Sequence, residues 1–178
     1  INNFHNFSNN EENYLCILCK DGRFKKILYD NEMLKTNRPF TIIKTKKENK
    51  IINSFMSKEN MILIIITSIG RLFKYKLDNK YIAPVSKQAQ GSILNKLFPN
   101  EEIISCCTCK TDDYIIIITK NGKFFKINEN EIYNSHNSKL GYIDGKIQIK
   151  NDVFLDINID KKYCEIVTNK ERSAKINF

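Results

Sequence analysis

Tryptophan is absent from this chain, histidine occurs twice, arginine four times and glycine six times in 178 residues. The two histidines, His5 and His136, leave little material for imidazole acid–base chemistry, and neither stands beside a recognisable partner motif. No phosphate-loop, HExxH or GxSxG string is present. The acid pairs Glu101–Glu102 and Asp112–Asp113 fall where turns are expected and read as solvated loop carboxylates. Neither an active site, a cofactor nor a catalytic residue is expected in this stretch.

Long apolar runs are also missing. The longest, MILIII (Met61–Ile66) and YIIII (Tyr114–Ile118), fall far short of the ~20 residues of a spanning helix. They have the length of buried strands, and no membrane partner is expected. The opening INNFHNFSNNEEN has no charged start and no apolar core, so it does not read as a signal peptide. Residues 1–13 read as a polar leader from something upstream, and the missing initiator Met agrees with a fragment.

Six cysteines are present: Cys16, Cys19, Cys106, Cys107, Cys109 and Cys164. Cys16 and Cys19 form a CxxC, but inside YLCILC, an apolar run without the turn residues of a zinc knuckle. Residues three apart on a strand point to opposite faces. SCCTC reads the same way. Buried free thiols in a reducing compartment are expected rather than metal ligands or disulfides.

What the chain has in excess is basic charge, +9 net with a pI near 9.2. That balance suits an acidic partner, nucleic acid or an anionic surface. The total alone decides nothing, because lysine (25), isoleucine (29) and asparagine (23) are the types an AT-rich genome over-produces. Placement is the better witness. TKNGKFFKI (Thr119–Ile127) recurs as TSIGRLFKY (Thr67–Tyr75), CKDGRFKKI (Cys19–Ile27) and TNKERSAKI (Thr168–Ile176). Aligned on Gly22, Gly70, Gly122 and Glu171, the copies are 48, 52 and 49 residues apart. A period near 50 marks a repeat architecture. The position after the turn is always basic: Arg23, Arg71, Lys123 and Arg172. Four after the turn is always lysine: Lys26, Lys74, Lys126 and Lys175. Codon bias explains many lysines but not a cation held in register, and three of the four arginines occupy one column.

Each repeat has a second half. A strand is expected to begin near Thr41 (TIIKT), Gly91 (GSILNKL) and Gly141 (GYIDGKIQI), 50 residues apart. A polar turn follows, then IINSFM, IISCCTC or VFLDINI. One repeat therefore predicts two hairpins, or four strands. Asp21–Gly22 and Asn121–Gly122 predict two-residue hairpin loops with both residues at positive φ. Helical periodicity is weak, with at most a short turn near Asn95–Phe98. Four-stranded units every ~50 residues predict an all-β array of propeller-like blades. WD40 blades want Trp-Asp pairs and kelch blades want paired glycines, and this composition excludes both.

The ordered motifs resemble a known family. Thr-x-x-Gly-basic-x-x-Lys in one hairpin, then a small residue and Gly opening the next strand, is similar to the C-terminal domain of DNA gyrase A. Ile64–Cys106 follows that family's blade throughout, with Pro84, the Ala89–Gly91 step, Asn95–Leu97 and Glu102–Ile103 in order. Asp113–Ile157 matches again through its GYIDG strand (Gly141–Gly145) and Asp-Val return. The resemblance runs roughly from Asn13 to Phe178. It implies a β-pinwheel, a propeller variant whose blades exchange a strand, with a non-catalytic basic rim that wraps duplex DNA without sequence preference. It further implies a parent type IIA topoisomerase with ATP-driven negative supercoiling, and as partners the rest of gyrase A and its companion gyrase B. The expected compartment is the bacterial cytoplasm or, in a eukaryote, a plastid or other organelle interior.

On this reading the leader (1–13) precedes a pinwheel domain (14–178). Its blades fall at about 14–60, 61–110 and 111–160, with a partial blade at 161–178. DNA contact is assigned to the register columns, Arg23, Lys26, Arg71, Lys74, Lys123, Lys126, Arg172 and Lys175, with Lys87 and Lys139 completing the set. The family's glycine-rich basic box corresponds by position to KTNRPFT (Lys35–Thr41). Lys35 and Arg38 keep charge there, but both glycines are gone. That implies a degraded box that binds yet closes the DNA turn poorly. The competing reading is a propeller-like protein-interaction scaffold with a basic surface. Charge concentrated on the outer rim favours DNA; charge even all round favours the scaffold.

Overall fold

The computed structural model describes residues 13–30, 39–45, 48–94, 96–136, 147, 149–159, 163–167 and 173–177. Twelve strands are present among them: β1 (Tyr14–Cys19), β2 (Arg23–Leu28), β3 (Ile51–Ser57), β4 (Ile62–Thr67), β5 (Leu72–Lys76), β6 (Ser92–Ile93), β7 (Ile103–Cys109), β8 (Tyr114–Thr119), β9 (Phe124–Asn128), β10 (Phe154–Ile159), β11 (Tyr163–Val167) and β12 (Ser173–Asn177). The one helical element among the described residues is a 3-10 turn at Glu129–Glu131, capped by the Asn128 side chain. Nothing in the sequence pattern announces it, and the turn expected near Asn95–Phe98 forms no helix among the residues described there.

The strands assemble as β3-β1-β2-β6, β5-β4-β7 and β10-β8-β9, with β11-β12 as a separate hairpin. All pairings are antiparallel. In each of the three larger sheets a repeat hairpin pairs through its first strand with the strand arriving from the repeat's second half. That central strand is walled on both sides, so it loses the alternation of a half-buried strand. All six residues of β4 are buried.

The sheets pack face to face. Leu18, Phe24, Leu63, Ile65, Phe73 and Cys106 fill the core between the first two sheets. Ile64, Leu72, Ile115, Ile117, Phe154 and Ile157 fill the next. β7 packs against both β10 and β3, so these strands lie where neighbouring blades converge. β2, β5 and β9 therefore lie outward. β6 is the exchanged element: it leaves the second repeat and pairs Ile93 with Arg23 and Ser92 with Phe24. Gly91 permits this docking. Its φ is +74°, and a Cβ there would stand 2.4 Å from the Phe24 carbonyl oxygen.

Two expectations require correction. The repeat hairpins close with three-residue loops. Gly122 N–H donates to the Thr119 carbonyl and Thr119 N–H to the Lys123 carbonyl, both at 3.0 Å. Only the glycine takes positive φ, at 84° in Gly22, 81° in Gly70 and 79° in Gly122. This is a type I turn followed by a left-handed bulge residue. The preceding Asp21 and Asn121 stay at negative φ. Second, no strand begins at Thr41: residues 39–45 are irregular, and Ile43 packs instead on Ile17 and Cys19. Of GSILNKL only Ser92–Ile93 is strand, and Gly141 lies outside the described residues.

Candidate nucleic-acid interface

The register columns do not form a surface in the first two blades. Arg71 is buried. Its Nε donates to Glu101 Oε1 at 2.8 Å, and one terminal nitrogen reaches both Glu101 Oε2 and the Lys96 carbonyl, the latter at 2.9 Å. The guanidinium lies 4.3 Å from the Phe98 ring centroid and 4.9 Å from that of Phe73. Burial pushes the Glu101 carboxyl up, but hydrogen bonds from Arg71, the Phe98 amide and Thr67 outweigh it, so the group ends below its ordinary value.

The lysine column is an inter-blade lock. Lys26 Nζ donates to the Leu77 carbonyl and, at 2.7 Å, to Asn79 Oδ1. Lys74 Nζ donates to the Glu129 carbonyl at 3.2 Å and to Glu129 Oε1 at 2.7 Å. Leu77 and Glu129 both stand seven positions after their own turn glycines, Gly70 and Gly122. The lysine four after the turn thus grips the next blade at the residue seven after its turn, twice in succession. The side chains at Lys26, Arg71 and Lys74 therefore belong to blade packing, and their assignment to the DNA-facing surface does not match where the structure puts them. The column lies mid-strand, and which way its lysine faces is decided by the neighbouring blade: the third blade's Lys126, in the same column, is exposed.

The remaining assigned residues fall elsewhere. Arg23 is half-buried, with Nη1 3.4 Å from the Gly91 carbonyl and Nε 3.9 Å from Asp21. Lys123 and Lys126 are exposed, Lys126 lying 4.6 Å over the Tyr114 ring. Lys87 is half-exposed and 3.6 Å from Asp30. Lys35, Arg38, Lys139 and Arg172, and the side chain of Lys175, lie outside the described residues.

Sorting the exposed and half-buried charges by position shows an asymmetry. Lys20, Arg23, Lys50, Lys96, Lys120, Lys123 and Lys150 surround the hairpin-turn ends of the blades, against Asp21, Glu48, Glu102 and Asp152. Backbone bonds fix this grouping, from Lys20 N to the Lys50 carbonyl at 2.8 Å and from Lys120 N to the Val153 carbonyl at 2.8 Å. None of Lys20, Lys50, Lys96, Lys120 and Lys150 was singled out by the repeat columns: Lys20 and Lys120 share a column that is Ser68 and Asn169 in the other copies, and Lys50, Lys96 and Lys150 lie outside the repeated strings. At the opposite ends, Lys58, Lys76, Lys80, Lys87 and Lys110 meet Asp30, Glu59, Asp78, Asp112, Asp113 and Glu131. Lys44 and Lys126 are exposed elsewhere. Among the described residues the turn end carries more cations than acids, with Arg71 and Glu101 cancelling inside it. A groove of about 1030 Å³ opens there between Lys20, Asn49, Lys96 and Glu102.

The thiols sit in the strands, as their sequence setting suggested. Burial pushes Cys16 up to about 11 and Cys106 and Cys109 up to about 12, so these sulfurs stay protonated at neutral pH. Among the described residues, no helix is long and apolar enough to cross a membrane.

An all-β row of blades in which the second repeat lends a strand to the first matches the architecture of a β-pinwheel. Among the solved structures it resembles are C-terminal domains of DNA topoisomerase IV and DNA gyrase A. The C-terminal domain of DNA topoisomerase IV matches with a TM-score of 0.77 and 19% identity, over 99% of this chain and 54% of that one. The DNA gyrase A C-terminal domain matches at 0.66 and 17%, over 95% and 56%. The E. coli ParC C-terminal domain matches at 0.67 and 13%, over 94% and 69%. In sequence, the DNA gyrase A protein of Borreliella burgdorferi is 28% identical over 121 residues, which is 68% of this chain and 13% of that protein. No family model matches the chain. The likeness to gyrase A read from the repeats is thus found again in the comparisons of sequence and fold.

Proposed function

We propose that this chain is a non-catalytic, DNA-binding domain of a type IIA topoisomerase, of the gyrase A kind. Residues 14–178 form its pinwheel array and 1–13 its leader. It holds duplex DNA by the phosphate backbone and bends it along the blades, in support of negative supercoiling by the whole enzyme. The partners are duplex DNA, the remainder of gyrase A and the companion gyrase B, in a bacterial cytoplasm or an organelle of bacterial descent. The observation that carries this reading is the excess of exposed and half-buried cations over acids, among the described residues, at the turn ends of a fold shared with topoisomerase C-terminal domains.

Physically, an array of lysines on turns suits a sequence-independent partner. Flexible point charges meet phosphates without reading base edges. Each phosphate neutralised releases counterions, giving a slope of roughly −0.9 in log K against log salt. The test is duplex binding titrated across salt. Lys120→Ala and Lys123→Ala should each weaken binding equally on unrelated sequences and lower the slope by about one. Affinity indifferent to salt would refute the reading.

A further inference from the structure

Lys25, three positions after the first turn glycine, is buried, and its ammonium bonds to two backbone carbonyls rather than to a carboxylate. Its Nζ donates to the Ile42 carbonyl at 2.5 Å and to the Lys87 carbonyl at 2.7 Å. In the next two blades the same column is Phe73 and Phe125, both packed against the preceding sheet. On the first sheet that face is covered by Ile42 and Ile43, from the irregular segment 39–45. Burying an ammonium costs free energy where phenylalanine would not, and burial holds the Lys25 pKa below its ordinary value. What the charge obtains is order in two segments that lack a ladder of their own. Segment 39–45 is irregular, and 85–91 touches β2 through the Val85 amide on the Lys26 carbonyl at 2.8 Å. A second tie joins the two segments, from Lys44 N to Gln90 Oε1 at 3.2 Å.

The outcome is a corner where Lys44 and Lys87 stand on adjoining stretches of backbone at the outer edge of β2. Lys44 is exposed; Lys87 is half-exposed beside Asp30, an exposed ion pair of the kind that a competing phosphate can replace. We propose that Lys25 is a positioning residue: it staples segments 39–45 and 85–91 so that Lys44 and Lys87 form one site for a duplex phosphate backbone. This rests on the DNA-binding reading above and adds to it Lys44 as a partner for Lys87, with Lys25 as the residue that positions both.

The test uses the full 178-residue chain with Lys25→Met, which removes both bonds and fills the site with apolar bulk. Hydrogen exchange without DNA should rise about tenfold in 39–45 and 85–91 while β4 is unchanged. On a random-sequence duplex, the salt slope should fall to that of the Lys44→Ala/Lys87→Ala double variant, up to about two units below the parent. A merely structural lysine would instead lower the melting temperature and leave the slope of the folded protein untouched. Gln90→Ala cuts the surface tie alone, should move both readouts the same way by less, and decides the matter if Lys25→Met does not fold. Unchanged exchange overturns the staple; raised exchange with an unchanged slope overturns the phosphate site. A parent protein whose binding ignores salt would sink the DNA reading itself, and the exchange result would still judge the staple.

Discussion

Replacing Arg71 with methionine separates the two roles a basic register column could have. The guanidinium and the Glu101 carboxylate are 1% and 0% exposed, bonded through two nitrogens and flanked by Phe73 and Phe98. In such a setting the pair's attraction roughly offsets the cost of burying both charges, whereas breaking the pair strands one of them. Arg71→Met leaves Glu101 buried with only the Phe98 amide and Thr67 as donors. The expected loss is about 3–5 kcal/mol. At about 2–4 °C per kcal/mol for a chain of this size, the melting temperature should drop by roughly 6–20 °C. Arg71→Met combined with Glu101→Met removes both charges and should recover most of that loss. The assay is a thermal melt of the parent, both singles and the double, closed as a double-mutant cycle. DNA affinity is measured on each folded variant across salt. A single variant that melts like the parent but loses about one unit of salt slope would refute the packing role and return Arg71 to the DNA surface.

Lys74→Met should loosen the joint between the second and third blades, costing about 3 kcal/mol as Glu129 loses its cation; an unchanged melt would show the lock to be idle. His136 stacks on Tyr81 at 4.3 Å and accepts the Lys76 N–H through Nε2 at 2.8 Å, a bond only the neutral ring can make on that nitrogen. Burial holds its pKa below the ordinary value, with Lys76 and Asp78 as the neighbouring charges. The unfolded chain therefore binds the proton first, so stability present at pH 7.5 should begin to fall as the pH drops below about 6.5. His136→Gln should flatten that limb of the melting profile, and a profile with the same limb in both would rule out the assignment. For Glu101 the carboxyl is the depressed group, so its contribution holds above the ordinary glutamate range and is lost at more acid pH; Glu101→Gln should remove that acid limb while lowering stability at neutral pH. Rebuilding the loop toward the family box (Thr36→Lys, Asn37→Arg, Arg38→Gly, Pro39→Gly, Phe40→Arg, Thr41→Gly) should increase DNA wrapping, read as the topoisomer shift of a relaxed plasmid, and equal shifts from parent and redesign would dispose of the degraded-box idea.

The repeat period, the all-β class and most strand positions were determined by the sequence alone, because they rest on local physics. Ile-rich runs make central strands, and Gly22, Gly70 and Gly122 mark the turns through the one backbone state that favours glycine. The register of the cations was legible too, but not its purpose. Whether Lys26 and Lys74 face water or the neighbouring blade depends on residues 51 and 55 positions away. Only the tertiary arrangement brings Leu77 and Glu129 within reach of those ammonium groups. The same holds for Arg71, whose acidic partner Glu101 reads as a solvated loop carboxylate until the fold encloses both. The strand expected at Thr41 failed for a related reason. TIIKT has the composition of a strand, yet the outer edge of β2 is taken by β6 from the following repeat. Ile43 is left to pack on the sheet's face, held there by a lysine that no local pattern singles out.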